Sequence, residues 1–137
     1  MFQDLGFGVQ ENWIREGAIV HFFVPNTSRE AVDVYIEASM RALDTVEPGE
    51  TLYVLHDFSS DAIDYTRYFR AKLDMVSERL AAERISTVSA IVLPRNFAGQ
   101  VMRVAGEIFT ARSGGIIQKY FTDMDRASAW LNKQAGI

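Results

Sequence analysis

The feature that most constrains the fold of this chain is a regular alternation of β-forming runs with segments of helical periodicity. The strongest runs are residues 18–24 (AIVHFFV), 51–58 (TLYVLHDF), 87–93 (TVSAIVL) and 116–121 (IIQKYF). Before each of the last three, apolar residues recur every three or four positions, which is typical of an amphipathic helix. Strands separated by helices favour parallel crossover connections. The pattern therefore predicts an α/β fold.

The order of the elements is predicted to be ββαβαβαβα. A weaker strand at 9–14 and the strand at 18–24 form an N-terminal antiparallel hairpin, so the sheet is mixed and has about five strands. Thr27 and Glu30 have the spacing of a capping box that starts a first helix reaching about Val46. Three more helices are predicted. They lie at about 62–83, at 97–112 before Gly114 and Gly115, and after a cap at Thr122 or Asp123, and residues 1–137 form a single domain.

The composition limits the possible functions. The absence of cysteine excludes disulfides, thiolate metal sites and a cysteine nucleophile, and it fits a reducing cytoplasm. A net charge of −4 disfavours nucleic-acid binding, although residues 65–137 carry 11 Lys and Arg against 6 Asp and Glu. The N-terminus lacks the features of a signal peptide, and no apolar run is long enough for a transmembrane segment. We therefore expect a cytoplasmic location.

Several patterns together resemble a known family. They are the element order, the early Trp13, the apolar strand that ends in aspartate (LYVLHDF), the strand that runs into Pro94, and the closing segment YFTDMDRASAWL at 120–131. The most specific part is that closing segment, with Phe121, Asp123, Asp125, Ala127, Trp130 and Leu131. In these respects the chain resembles the SpoIIAA-like family, a branch of the STAS fold.

The resemblance implies a small α/β domain that acts by binding partner proteins or small ligands, without catalysis. Regulatory members carry a phosphorylatable serine in an Asp-Ser pair at the start of a helix. Here Tyr65 and Thr66 stand at that place, and the pair Ser59-Ser60 comes earlier. The phosphorylation switch of those members is therefore not carried over to this chain.

Polar residues gather where the predicted parallel strands end. Asp57, Ser59, Ser60 and Asp61 follow the strand at 51–58, and Arg95 and Asn96 follow the next one. Ligands of α/β folds commonly bind at this edge, where helix N-termini also attract anions. These six residues are the predicted ligand site, for a partner protein or a small anionic or amphipathic molecule. The alternative is that Ser60 or Asp61 only caps the next helix.

The sequence gives little support for a metal site, a catalytic triad or a dinucleotide-binding loop. His21 and His56 lack a third ligand on the same strand face, so no metal site is predicted. Ser59, His56 and Asp61 have the residue types of a catalytic triad, but they are sequence neighbours without a nucleophile elbow. Gly6-Phe7-Gly8 lacks the context of a dinucleotide-binding loop. No catalytic residue and no cofactor are predicted.

Aromatic and apolar residues crowd two of the predicted helices. They are Tyr65, Tyr68 and Phe69 on one, and Phe97, Met102, Ile108 and Phe109 on the next. Most are expected in the core, and the remainder could line an apolar pocket or a homodimer face. The predicted function is therefore non-enzymatic binding. The alternatives are a small enzyme with an acid/base site at Asp57 or Asp61 with Arg95, and a homo-oligomeric assembly protein.

Overall fold

The computed structural model describes residues 1–112 and 116–137, and the side chains of 1–107 and 116–137. Its strands form one sheet in the order β1 to β6. Their bounds are β1 Gln3–Gly6, β2 Val9–Ile14, β3 Ile19–Phe23, β4 Thr51–Asp57, β5 Ser86–Val92 and β6 Ile116–Phe121. The first three strands pair antiparallel, and β3 to β6 pair parallel. The predicted α/β class and mixed sheet are confirmed.

The described sheet has six strands where about five were expected. The additional strand, β1, is short and polar, and it turns into β2 through Gly6-Phe7-Gly8. All three of these residues have positive φ angles, which glycine adopts without strain. The glycine pair that precedes the first predicted strand is therefore a hairpin turn.

In the described part of the chain, four helices connect and follow the strands: α1 Arg29–Asp44, α2 Arg67–Glu83, α3 Phe97–Arg112 and α4 Met124–Gln134. Asp123 caps α4 as expected, since its carboxylate accepts the N–H groups of Asp125 and Arg126. Asn96 accepts the N–H of Gly99 at the start of α3. The predicted stop at Gly114 and Gly115 lies outside the described residues.

Two predicted helix starts are wrong. Ser28, one residue after Thr27, caps α1, and its hydroxyl accepts the N–H of Ala31 at 3.2 Å. The Thr27 hydroxyl instead accepts the N–H of Asp64 at 3.0 Å, which holds the loop after β4 against the start of α1. That loop also buries Ile63 completely, so α2 starts five residues later than predicted, after the cap Thr66.

The helices cover the two faces of the sheet unequally. Helices α1, α2 and α3 cover one side of the sheet, which we call the three-helix face. Its residues include Phe22, Val54, His56, Ser89 and Ile91. Among the described helices, α4 is the one that packs on the other side of the sheet, which we call the α4 face. That face consists of Ile19, Leu55, Val88, Ala90 and Val92, and Ala127 and Leu131 of the helix are buried against it.

Hydrogen bonds and an ion pair hold helix α2 against α1. The Arg79 guanidinium donates to the Met40 carbonyl at 3.0 Å and pairs with Asp44, and the Tyr68 hydroxyl donates to Asp33. Among the described residues, α3 packs mainly against β6 and makes no comparable contact with α2. The layer of helices on the three-helix face therefore has two parts, α1 with α2 and α3 by itself.

Candidate functional site

A cavity of about 540 Å³ lies between the three-helix face and its helices. Most of its wall is apolar, and the apolar side chains come from all three helices and three of the strands: Phe22, Ala42, Leu43, Leu52, Val54, Phe58, Leu73, Val76, Leu80, Ile91, Leu93, Met102 and Ala105. The volume falls within the range of about 300–1,000 Å³ that is typical of small-molecule sites. The cavity is therefore large enough for an organic ligand.

The mouth of the cavity lies between α2 and α3. Arg70 and Asp74 of α2 line it and are exposed, while Ala105 and Gly106 of α3 line it and are half-buried. Because these two helices pack on different neighbours among the described residues, we infer that the cavity opens between them. A guanidinium and a carboxylate thus flank the opening.

A chain of neutral polar groups crosses the cavity wall. The Tyr35 hydroxyl lies 2.7 Å from His56 Nδ1, and His56 Nε2 lies 3.4 Å from Ser89 Oγ. Burial, with a smaller contribution from His21, lowers the pKa of His56 to about 3. Burial also raises the pKa of Tyr35, which the Ser39 hydroxyl opposes only weakly. At neutral pH this chain is therefore uncharged and offers hydrogen bonds to a ligand.

A second polar pair lies beneath α3. The Tyr120 hydroxyl donates to Gln118 Oε1 at 2.9 Å, and burial, followed by the charge of Glu107, raises the Tyr120 pKa to about 12. A Cβ atom at Gly106 would lie 1.6 Å from the Tyr120 hydroxyl oxygen. The glycine therefore allows the ring to reach under the helix, where Tyr120 and Gln118 line the cavity.

The predicted site residues after β4 bond mainly to one another. The Asp57 carboxylate accepts the Ser59 N–H at 3.0 Å and the Ser59 hydroxyl at 2.6 Å. The Ser60 hydroxyl accepts the Ala62 N–H at 3.2 Å, and Asp61 is exposed. Neither Ser60 nor Asp61 caps α2, so the alternative of a helix cap is wrong. None of these four residues lines the cavity.

Arg95 and Asn96 lie elsewhere, in an open depression of about 740 Å³ at the carboxyl ends of β5 and β6. Thr122 and Asp123 line the same depression, together with Arg103 and Arg126. The structure thus brings the predicted site residues Arg95 and Asn96 together with the start of α4. The group after β4 does not line this depression.

Several polar groups of the cavity wall were not predicted from the sequence. They include Tyr35, Thr87, Ser89 and Gln118. A usable signal existed in β5, where Thr87 and Ser89 alternate with apolar residues and so share a strand face with Ile91. Tyr65 and Met102, which were considered as possible pocket residues, do line the cavity.

The two histidines do not form a metal site. His21 pairs with Leu55, next to His56 in β4, so the two rings point to opposite faces of the sheet. In residues 1–107 and 116–137, no three His, Asp or Glu side chains gather in a way that could hold a metal ion. The described helices include none that is long and apolar enough to cross a membrane.

No protein-family model, curated protein or solved structure matches this chain. The SpoIIAA-like resemblance therefore rests on the sequence patterns given above and stays a prediction. Function has to be argued from the site itself, whose main feature is a mostly apolar cavity with an uncharged polar wall.

Proposed function

We propose that this chain is a non-enzymatic, cytoplasmic binding domain of the SpoIIAA-like, STAS-like type that holds one small amphipathic molecule in its cavity. The observation that carries the proposal is the cavity of about 540 Å³ between the three-helix face and helices α1 to α3. Sites of this size, mainly apolar with a few convergent polar groups, are the usual form of a ligand pocket.

The wall of the cavity suggests the chemistry of the ligand. Apolar side chains form most of it, which favours a ligand with an apolar body. The chain from Tyr35 to Ser89 is neutral, so it suits a hydroxyl or carbonyl group better than a charged one. An acidic group would instead lie at the mouth, where Arg70 is exposed to water. The ligand class is therefore an amphipathic molecule with an apolar body and a neutral hydrogen-bonding group.

The proposal can be tested with a probe whose fluorescence rises in apolar sites, such as anilinonaphthalene sulfonate. Ala105→Trp places a large ring at the mouth, and we expect it to weaken probe binding about tenfold or more. Ala71→Trp is the matched control, because Ala71 is exposed on α2 and does not line the cavity. Equal binding by the two variants and the unaltered protein would contradict the proposal.

A hydrolase is a second candidate, favoured by the alignment of Tyr35, His56 and Ser89 inside a cavity. Two observations weigh against it. The separation of 3.4 Å exceeds the reach of about 2.6–3.2 Å expected of a general base, and an imidazole with a pKa near 3 is a weak base. Ester turnover that Ser89→Ala abolishes, in a variant that still binds the probe, would establish the hydrolase.

The other enzyme alternative, with Asp57 or Asp61 and Arg95, has a test of its own. Asp57→Asn keeps the shape of the side chain and removes its charge, so loss of a measured turnover in a folded variant would support that site. Binding at the edge residues Asp57, Ser59, Ser60, Asp61, Arg95 and Asn96 likewise stays a prediction. Mapping the bound probe onto individual residues would distinguish this edge from the cavity.

A further inference from the structure

Helix α3 exposes an apolar stripe whose residues do not line the cavity. The stripe consists of Phe97, Val101 and Val104, whose exposed fractions are 80%, 37% and 57%. Positions separated by four and three residues lie on one face of a helix. Other residues of α3, Met102, Ala105 and Gly106, line the cavity wall. The stripe is therefore not part of the core.

Three arginines line a depression at the start of α3 that the stripe residues themselves do not line. Arg95, Arg103 and Arg126 line the open depression at the carboxyl ends of β5 and β6, next to the first turns of α3. Arg103 pairs at the surface with Glu107 at 3.1 Å, whereas Arg95 and Arg126 make no ion pair within the described residues. Asp123 also lines the depression, but it caps α4 through the N–H groups of Asp125 and Arg126. The depression keeps a surplus of positive charge.

We propose that this face of α3 docks on a membrane that contains anionic phospholipids. Helices that lie in the membrane interface bury an apolar face among the lipid chains and place Lys or Arg near the headgroups. Phe97, Val101 and Val104 supply the apolar face, and Arg95, Arg103 and Arg126 supply cations for lipid phosphates. Because the chain carries a net charge of −4, attraction to an anionic surface requires such a local patch.

A membrane fits this surface better than a second protein. A stable protein interface buries about 800 Å² on each partner, which is more than the three described side chains of the stripe provide. Insertion into a lipid interface needs only a few apolar side chains and nearby cations. The expected attachment is weak, reversible and sensitive to salt.

The location of the stripe also suggests why docking would be useful. Helix α3 forms one side of the cavity mouth, so docking would bring the mouth close to the lipid. A mostly apolar ligand could then pass between bilayer and cavity with little exposure to water. This last step rests on the proposed function, whereas the docking itself does not.

The test is co-sedimentation of the purified protein with vesicles. We expect binding to vesicles of phosphatidylcholine mixed with phosphatidylglycerol at low salt, and weaker binding to phosphatidylcholine alone or at high salt. The double variant Phe97→Ser/Val104→Ser should bind anionic vesicles about tenfold more weakly. The double variant Arg95→Gln/Arg126→Gln should lose the preference for anionic vesicles.

Phe7→Ser is the matched control. Phe7 is 65% exposed, in the β1–β2 turn at the opposite edge of the sheet from β6 and α3, so its removal should leave vesicle binding unchanged. Because all these side chains are at the surface, the variants should keep the circular dichroism and unfolding curve of the parent.

Three results would overturn the proposal. They are no binding of the parent protein to anionic vesicles, an equal loss of binding in Phe7→Ser, and a dimer in light scattering that Phe97→Ser/Val104→Ser converts to monomer without any vesicle binding. The last would assign the stripe to a second copy of the chain. Ala105→Trp separates the two proposals, because it should weaken probe binding about tenfold or more and retain vesicle binding.

Discussion

The two faces of the sheet bury their side chains in different ways. On the α4 face, β5 contributes Val88, Ala90 and Val92, and these pack directly on α4. On the three-helix face the same strand contributes Thr87, Ser89 and Ile91, which line the cavity. One strand therefore alternates between a close-packed interior and the wall of a cavity. The comparison indicates that the α4 face is close-packed, while the three-helix face buries the larger core cluster and also leaves space for a ligand.

The largest expected difference between the faces is in the free energy of unfolding that is lost when a leucine is replaced by alanine. Leu131 of α4 is almost completely buried, so Leu131→Ala should lower the free energy of unfolding by about 2–5 kcal/mol. Leu73 of α2 lines the cavity and is only half-buried, so Leu73→Ala should lower it by about 1 kcal/mol. Urea denaturation measures both. Equal losses would mean that the two faces are packed alike.

Adjacent residues of β5 provide a matched test of the available space. Ala90 is fully buried against α4, so Ala90→Val should overpack that face and lower the free energy of unfolding by about 1–3 kcal/mol. Ser89→Val projects into the cavity, and the burial of its added apolar groups should offset most of the cost of losing the contact with His56 Nε2, so the free energy of unfolding should change by less than about 1 kcal/mol. The same variant should weaken probe binding. A large destabilisation by Ser89→Val would contradict the presence of free space.

A smaller effect should appear in the dependence of stability on pH. The pKa of His56 is lowered to about 3 in the folded protein, whereas the unfolded chain has the ordinary value near 6.5. Between these values the unfolded state binds the extra proton, so stability is complete above pH 6.5 and falls as the pH decreases. Between pH 6 and pH 5 the loss should be about 1 kcal/mol.

The control for this effect is His56→Asn, in which that part of the pH dependence should disappear. The range from pH 6 to pH 5 avoids most of the carboxylate titration, so the difference between the two proteins reports mainly the histidine. Identical pH profiles would show that His56 is not buried in its neutral form.

Much of the fold could be predicted because its elements follow local periodicity. The parallel strands and the cap of the last helix depend on residues close in sequence, such as Asp123. The start of α2 could not be predicted in this way, since the bond from Asp64 to Thr27 and the burial of Ile63 depend on contacts distant in sequence. Strand β1 was missed because its short segment, QDLG, lacks the residues that favour strands.

The cavity could not be predicted from sequence patterns, because it also depends on contacts between residues that are distant in sequence. A polar residue such as Ser89 within an apolar strand signals an unusual environment, but the sequence does not show which helix covers it. The cavity exists because α2 packs on α1 while α3 packs on β6, and neither packing is local in sequence. The polar groups after β4 were easier to notice, although they bond mainly to their own loop.

The most direct test of the account is nuclear magnetic resonance of the protein during titration with the fluorescent probe. We predict that methyl signals of Val54, Leu73, Ile91 and Met102, which line the cavity, shift on binding. Signals of Val88, Val92 and Leu131 on the α4 face should stay in place. Shifts confined to the α4 face, or to Asp57, Asp61 and Arg95 at the strand ends, would contradict the account.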